Sequence, residues 1–153
     1  TVEGTRPLLV EIQALVTTTN FGYPKRTASG FDLNRLNLLI AVLERRTKLK
    51  LSDKDIFINV VGGIKLQDSA ADLAVCMAIA SACAKRKLPQ DYVVFGEVGL
   101  GGEIRSAFRP DQRIAEAKKI GFKHAIAPAT VKDKFVIPVK DLRDTLIKYM
   151  NEK

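Results

Sequence analysis

The sequence predicts one domain, residues 1–153, of the α+β class, with helices packed on an α/β-type mixed sheet. Strand-like and helix-like apolar patterns alternate along the chain. With 153 residues, the chain can bury about two-thirds of its unfolded surface. Residues 62–85 combine a Gly-Gly turn with a helix that is apolar nearly all round, which is typical of a helix at the centre of a domain.

The first half of the chain predicts a strand, a loop, a helix and a second strand. Residues 6–17 mix apolar and alternating polar side chains, as a strand with one covered face does. Residues 17–30 carry Gly, Pro and Asn and predict a loop. Asp32 is placed to cap a helix that runs to about Arg46, and a polar connection over 48–55 leads to a β-branched strand at 56–61.

The second half starts with the central helix, over about 70–84. A strand at 92–98 and a short one at 103–105 flank the glycine-rich turn 99–102, which predicts a hairpin. Pro110 or Asp111 opens a helix through Lys119, and Gly121 is its left-handed cap. Strands at 122–127 and 135–139 follow, and Asp141 caps a final helix.

Composition excludes several classes of protein. No apolar run reaches the roughly 18 residues that a membrane span needs. The chain starts at Thr1 without a signal-peptide pattern, so we expect a domain cut from a longer protein. Cys76 and Cys83 lie seven residues apart on one apolar helix, which predicts reduced core cysteines and fits a cytoplasmic protein. With one His and no CxxC motif, we expect no metal site.

The formal net charge is +8, and the excess lies at both ends of the chain. Residues 1–50 hold 8 basic and 4 acidic side chains, residues 51–110 hold 7 of each, and residues 111–153 hold 10 and 6. Such an excess suits a polyanionic partner. Charge alone does not distinguish such a partner from the alternative, a basic surface that is only solvated.

The glycine-rich run GEVGLGGE, residues 96–103, does not predict a nucleotide site. It lacks the GxGxxG spacing and leads into a short strand instead of a helix, and no GxxxxGK[ST] motif occurs in the chain. A tight hairpin is the better interpretation. At the head of the central helix, Ser69 and Asp72 have the spacing of a capping box, with Ser69 accepting from the backbone N–H of Asp72.

Four runs of the sequence carry a family resemblance. GGIKLQDSAADLAVCMAIASA, VVFGEVGLGGEIR and RIAEAKKIGFKHAIAP resemble the C-terminal domain of the bacterial RadA (Sms) DNA-repair proteins, as does FGYPKRTASGFDLNRLNLLIAVLERR. The match covers nearly everything from Pro7 to Pro128. That domain is similar to the peptidase domain of Lon, so the resemblance implies a Lon peptidase-like fold of the ribosomal-S5-domain-2-like type.

Lon peptidases use a Ser-Lys dyad, and the resemblance places its two positions on Ala70 and Arg113. Alanine has no nucleophilic atom, and an arginine stays protonated and cannot act as the base. Ser69 is one residue early, which turns its side chain by about 100° around a helix. The resemblance therefore implies a degenerate site without catalytic residues.

What the resemblance leaves is a DNA-binding and ring-forming platform, by analogy a homohexamer, in recombination-dependent repair. In the full-length relatives a zinc finger and a RecA-like ATPase accompany this domain and support branch migration. Zn, Mg and ATP are expected only in those parts, which this chain lacks. The resemblance also implies recombinase and replication proteins as candidate partners.

Basic residues on loops and helix starts can reach DNA phosphates without distorting the core, which predicts backbone contacts and no sequence readout. The candidates are Lys25, Arg26, Arg35, Lys65, Arg105, Arg109 and Arg113. Phe21 and Tyr23 flank the first pair and would either stack on single-stranded bases or pack the loop down.

Other polar residues predict ordinary roles. The cluster at residues 45–50 complements a helix C-terminus, and His124 is expected on the surface. Asp72 is expected to be a cap residue or a subunit contact. Two alternatives to the DNA-binding domain stay open: a divergent serine peptidase that uses Ser69 with Lys65 as base, and a purely structural oligomerisation module.

Overall fold

A computed structural model describes residues 2–3, 6–7, 9–20 and 22–150, the first two pairs by their backbone alone. β1 (Val2–Glu3) and β2 (Arg6–Pro7) form a short antiparallel pair. Helices and small mixed sheets make up the rest, which confirms the α+β class. The Lon peptidase-like type and the single-domain organisation stay predictions.

The first sheet has the strand order β3-β5-β4. β3 (Ile12–Thr18) runs antiparallel to β5 (Lys54–Val60), whereas β4 (Arg26–Ser29) runs parallel to β5. β4 lies inside the segment predicted as a loop. Its four residues carry no strand-like pattern of their own, and the ladder of β5 makes them a strand.

Gly30 ends β4 at a position where no side chain fits. Its φ is +81°, and a Cβ there would lie 2.5 Å from the carbonyl oxygen of Ile64 and 2.8 Å from Cβ of Val60. The Gly30 carbonyl accepts from the backbone N–H of Leu66 at 2.7 Å. This close approach brings the segment that leads to the central helix against the end of the sheet.

α1 (Leu33–Arg46) follows its sequence prediction. Asp32 caps it by accepting from the backbone N–H of Arg35 at 2.8 Å. Leu36, Leu39 and Leu43 are fully buried. They recur at helical spacing, so one face of α1 packs into the core while its polar face stays in water.

α2 (Asp72–Ala84) is the predicted central helix, preceded by one 3-10 turn at Ser69–Ala71. The helix has buried residues on nearly every side, and Leu73, Cys76 and Ile79 are among them. Cys83 is half-buried, and both cysteines are free thiols. The helix stops at Lys85, which adopts the left-handed conformation with φ 55°.

The second sheet has the order β10-β9-β6 and all its strands are parallel. It consists of β6 (Tyr92–Val94), β9 (His124–Pro128) and β10 (Val136–Val139). The strand predicted over 92–98 is broken into β6 and β7 (Glu97–Val98), because the chain leaves the sheet at Gly96. There the N–H of Gly96 donates to the carbonyl of Ala70 at 2.9 Å.

β7 and β8 (Ile104–Arg105) form the predicted hairpin, with the N–H of Gly99 donating to Glu103 O at 2.9 Å. α3 (Pro110–Ile120) ends at Gly121 in the left-handed conformation, and α4 (Leu142–Met150) is capped by the Asp141 carboxylate, both as predicted. None of the helices in the described part of the chain is long and apolar enough to cross a membrane.

The prediction that His124 is an ordinary surface residue is wrong. It lies on the central strand of the second sheet and is half-buried, not an ordinary surface residue. Its ring meets Tyr92 edge-on, with 5.1 Å between centroids, and lies 6.4 Å from the ring of Phe135. Histidine therefore serves here as a packing residue between two aromatic side chains.

Candidate functional site

The head of the central helix is capped by Asp68, not by Ser69. The Asp68 carboxylate accepts from the backbone N–H of Ala70 at 3.0 Å, and the side chain of Ser69 is exposed. The predicted capping box is therefore wrong. Ser69 is itself the first residue of the 3-10 turn that precedes α2, so Asp68, and not Ser69, stands at the cap position.

Ala70 is buried at the position that the resemblance assigns to the nucleophile. Only its backbone takes part in polar contacts: its N–H donates to Asp68, and its carbonyl accepts from Gly96. A methyl group in this place offers no atom that could attack a peptide bond.

Arg113, at the position of the dyad lysine, is a structural cation. The residue is 6% exposed, its Nη2 lies 2.7 Å from Asp68 Oδ2, and its Nε donates to the carbonyl of Phe108 at 2.7 Å. The guanidinium also faces the ring of Phe95 at 5.9 Å. This arrangement ties α3 to the turn before α2, and it leaves the charge no room to meet a DNA phosphate. Burial therefore conflicts with the predicted DNA contact at Arg113.

Asp72 is fully buried and is neither a cap residue nor an exposed subunit contact, contrary to prediction. Both its oxygens accept from the guanidinium of Arg35, and Oδ2 also accepts from the backbone N–H of Val98 at 3.1 Å. Burial raises the pKa of the Asp72 carboxyl, which the hydrogen bonds from Arg35 and Val98 oppose. The hydrogen bond to Asp72 raises the pKa of Arg35 in turn. One carboxylate thus joins α1, α2 and the β7–β8 hairpin.

Two of the remaining predicted cations are engaged by the protein itself. The guanidinium of Arg26 donates to the carbonyls of Lys54 and of Leu51, the latter at 2.9 Å. Arg35 keeps 31% of its side chain exposed while it holds Asp72. Both residues therefore hold the fold together, and each is half-buried, so part of each side chain stays open to a ligand.

The other four predicted cations keep charge at or near the surface. Lys25 and Lys65 are exposed. Arg105 is 56% exposed and lies 2.8 Å from Glu103 and 3.8 Å from Glu97. Arg109 is half-buried with φ 52°, and its guanidinium stacks over the ring of Phe108 at 4.9 Å.

These cations lie in two places and do not form one compact site. Lys25 precedes β4 beside the start of β5, where its N–H donates to Asp55 at 2.7 Å. Lys65 lies past the other end of the same strand pair, next to Leu66, which bonds Gly30. The length of β5 separates them, about 20 Å at ~3.3 Å per residue. Arg35, Arg105 and Arg109 group with the head of α2.

Exposed aromatic rings accompany both places. Tyr23 is 92% exposed, so it does not pack its loop down, whereas Phe21 lies outside the described residues. Phe108, which the sequence analysis did not single out, is 64% exposed beside Arg109. The sequence does contain a signal for this site, because Phe108 is an aromatic residue next to an arginine in a loop. Within the described ranges, no three His, Cys, Asp or Glu residues converge on a metal-sized site.

Comparison with known proteins shows which family the chain is similar to. The family model described as Subunit ChlI of Mg-chelatase matches residues 28–131. The DNA repair protein RadA of Haemophilus influenzae is 51% identical over 150 residues, which are 94% of this chain and 33% of that protein. The RadA proteins of Salmonella typhimurium and Aquifex aeolicus are 52% and 43% identical, with the same coverage of 94% and 33%.

The resemblance to RadA that the motifs predicted is confirmed by these identities. The chain spans about a third of the length of the curated relatives it matches. Since the family model covers well over half of the chain, the chain belongs to the family that this model describes, and it is a relative of the RadA DNA repair proteins over nearly its whole length.

Proposed function

We propose that this chain is a non-proteolytic, Lon-like domain of a RadA-type DNA repair protein, and that it binds DNA through contacts to the phosphate backbone. The observation that carries the proposal is the pair of substituted positions. A buried methyl group stands at Ala70, and a buried, ion-paired guanidinium stands at Arg113. The methyl group cannot act as a nucleophile, and the guanidinium, which stays protonated, cannot act as the base.

The peptidase alternative finds little support around Ser69. Its hydroxyl is exposed on the 3-10 turn, and in the described part of the chain no hydrogen bond joins it to Lys65. A serine nucleophile needs a base within hydrogen-bond reach, about 2.6–3.2 Å. A serine-reactive probe that labelled this chain, and lost its target in Ser69→Ala, would overturn the proposal.

Charge supports a DNA-binding role. The chain carries a formal net charge of +8, Lys65 and Arg105 are exposed, and Phe108 is exposed beside Arg109. Exposed cations suit phosphates, and an exposed ring suits a base that is not paired. The relatives are named DNA repair proteins, which agrees with this partner.

Assembly into a ring, by resemblance a homohexamer, belongs to the same proposal. Exposed apolar side chains on α1 and at the tip of the hairpin are the candidates for such a subunit contact: Leu33 is 44% exposed, Leu38 37% and Leu100 65%. In the longer protein we expect ATP, Mg and Zn to be bound outside this chain. Branch migration during recombination would need those parts, and recombinase or replication proteins are candidate partners there.

The test is a salt titration of DNA binding. We expect Lys65→Ala with Arg109→Ala to weaken binding to single-stranded and duplex DNA alike, and to reduce the slope of log K against log salt by about one for each phosphate that the variant no longer neutralises. Arg86→Ala with Lys87→Ala is the charge-matched control at the opposite end of α2. Equal weakening by both pairs would mean that only net charge matters. No binding at low salt would leave the oligomerisation module as the better function, which sedimentation of a Leu38→Glu, Leu100→Glu variant would then decide.

A further inference from the structure

A groove of about 700 Å³ lies beside the central helix. Its floor consists of Ala74 and Ala78 of α2 and of Ala71 in the turn before this helix. One wall consists of consecutive residues 9–12 before and at the start of β3, and the other of β6 and Phe95, which follows it. This volume is within the range of about 300–1,000 Å³ that ligand sites in proteins occupy.

Both walls are edges of sheets. β6 is the last strand in the order β10-β9-β6, and β3 is the first in the order β3-β5-β4. The N–H of Phe95 donates to Ile126 O at 3.1 Å, towards β9. Because alternate residues of a parallel strand bond opposite sides, the N–H and C=O of Val94 point away from β9, into the groove.

The same reasoning applies to the other wall. The carbonyl of Glu11 accepts from the N–H of Val61 at 3.0 Å, towards β5. The N–H and C=O of Ile12 therefore point to the free edge of β3. Among the described residues neither edge is paired with a further strand. Unpaired edges of this kind are templates for one more extended chain.

The charges of the groove select the occupant. Three side chains that are charged at neutral pH line it: Glu11, Glu116 and Arg113. The guanidinium of Arg113 is already neutralised by Asp68 at 2.7 Å. Two carboxylates remain, on a chain whose net charge is +8. This groove therefore disfavours nucleic acid and favours a ligand that carries a cation.

We propose that the groove binds an extended peptide segment of a partner protein, which adds a strand between β6 and β3. Small apolar side chains of this peptide face the alanines of α2, and an Arg or Lys side chain of the peptide reaches Glu11 or Glu116. Lys65, Arg105 and Arg109, the cations that we propose for DNA, do not line this groove, so one domain would hold both ligands at once.

Fluorescence anisotropy with synthetic peptides tests this proposal. The probe is a fluorescein-labelled, amidated heptapeptide of alternating valine and lysine. Two matched peptides serve as controls: one with N-methyl groups on alternate residues, which keeps the charge but removes strand donors, and one with glutamate in place of lysine. We expect saturable binding of the probe and at least about tenfold weaker binding of each control, equivalent to one hydrogen bond or ion contact.

Variants of the chain locate the binding. Val94→Pro removes the N–H that faces the groove and leaves the bond from Phe95 to β9, so we expect it to weaken binding of the probe, whereas Val94→Thr keeps the donor and the affinity. Ala78→Leu fills the floor and should also weaken binding. Ala115→Leu is its control, since this alanine is exposed on the same domain outside the groove. Circular dichroism checks that each variant folds, and if Val94→Pro does not, Ala78→Leu and the peptide controls decide.

Several results would overturn the proposal. They are absence of saturation, equal affinity for the N-methylated peptide, and indifference of binding to Ala78→Leu. Self-association of the chain that Val94→Pro or Ala78→Leu abolishes would show that a second copy occupies the groove instead. DNA affinity should not change in these variants, so failure here would not touch the proposed DNA-binding function.

Discussion

The buried ion pair of Arg113 and Asp68 gives the most decisive prediction about this domain. Arg113→Met keeps an unbranched apolar side chain but removes the guanidinium that faces the Phe95 ring, pairs with Asp68 and donates to the carbonyl of Phe108. Breaking a buried pair by removing one partner costs about 3–5 kcal/mol. The Asp68 side chain is 16% exposed and keeps its bond from Ala70, so we expect the lower end, about 3 kcal/mol.

Urea denaturation followed by circular dichroism measures this destabilisation. We expect a lower midpoint with an unchanged m-value, and a melting temperature lower by about 6–12 °C, at roughly 2–4 °C per kcal/mol for a domain of this size. Arg143→Ala, an exposed arginine on α4, is the control and should change stability by less than about 0.5 kcal/mol. The folded Arg113→Met protein should bind DNA as well as the unchanged chain.

The opposite pattern would refute the reasoning. If Arg113→Met cost less than about 1 kcal/mol and weakened DNA binding steeply, the guanidinium would be a phosphate contact and not a structural cation. A double-mutant cycle with Asp68→Asn separates the pair from its surroundings, since a real pair gives a coupling energy of about 0.5–3 kcal/mol.

Three further predictions concern stability and reactivity. Gly30→Ala should destabilise the chain far more than Gly22→Ala in thermal melts, because both have positive φ but only at Gly30 would a Cβ meet backbone atoms, whereas at Gly22 nothing lies within 4 Å; the strain alone costs about 1–2 kcal/mol. Backbone and side-chain hydrogen bonds lower the pKa of Asp55, so its contribution to stability is present above about pH 4 and is lost as pH falls through the lowered value; Asp55→Asn should shrink the drop in melting temperature between about pH 6 and about pH 3. Burial raises the pKa of both thiols, but Cys76 is fully buried whereas Cys83 is half-buried, so a thiol-specific reagent should modify Cys83 in the native chain and Cys76 only after unfolding.

Each of these has a result that would contradict it. Equal destabilisation at the two glycines would show that the segment after β4 can move away from Gly30. An unchanged acid limb in Asp55→Asn would assign the pH dependence to other carboxylates, such as Asp133, whose pKa is lowered by a backbone hydrogen bond from Phe135. Rapid modification of both thiols in the folded chain would mean that α2 opens readily.

Local chemistry in the sequence determined most of the elements. Asp32 and Asp141 cap their helices because each carboxylate accepts a hydrogen bond from the backbone N–H three residues later. Gly121 ends α3 because glycine adopts a positive φ without strain. The central helix was recognisable because nearly all its residues are apolar, which only burial on every side explains. The family was predictable too, since long runs of similar residues carry it.

Tertiary contacts alone decided the rest, because they join residues far apart in sequence. Nothing near Asp72 in the sequence indicates that its carboxylate will pair with Arg35, 37 residues earlier. Nothing near Arg113 indicates Asp68, 45 residues earlier. A cation looks the same in sequence whether it meets water, DNA or a buried carboxylate, so the predicted DNA contacts could not be sorted. The groove likewise exists only where two sheet edges meet across α2, and no single segment encodes it.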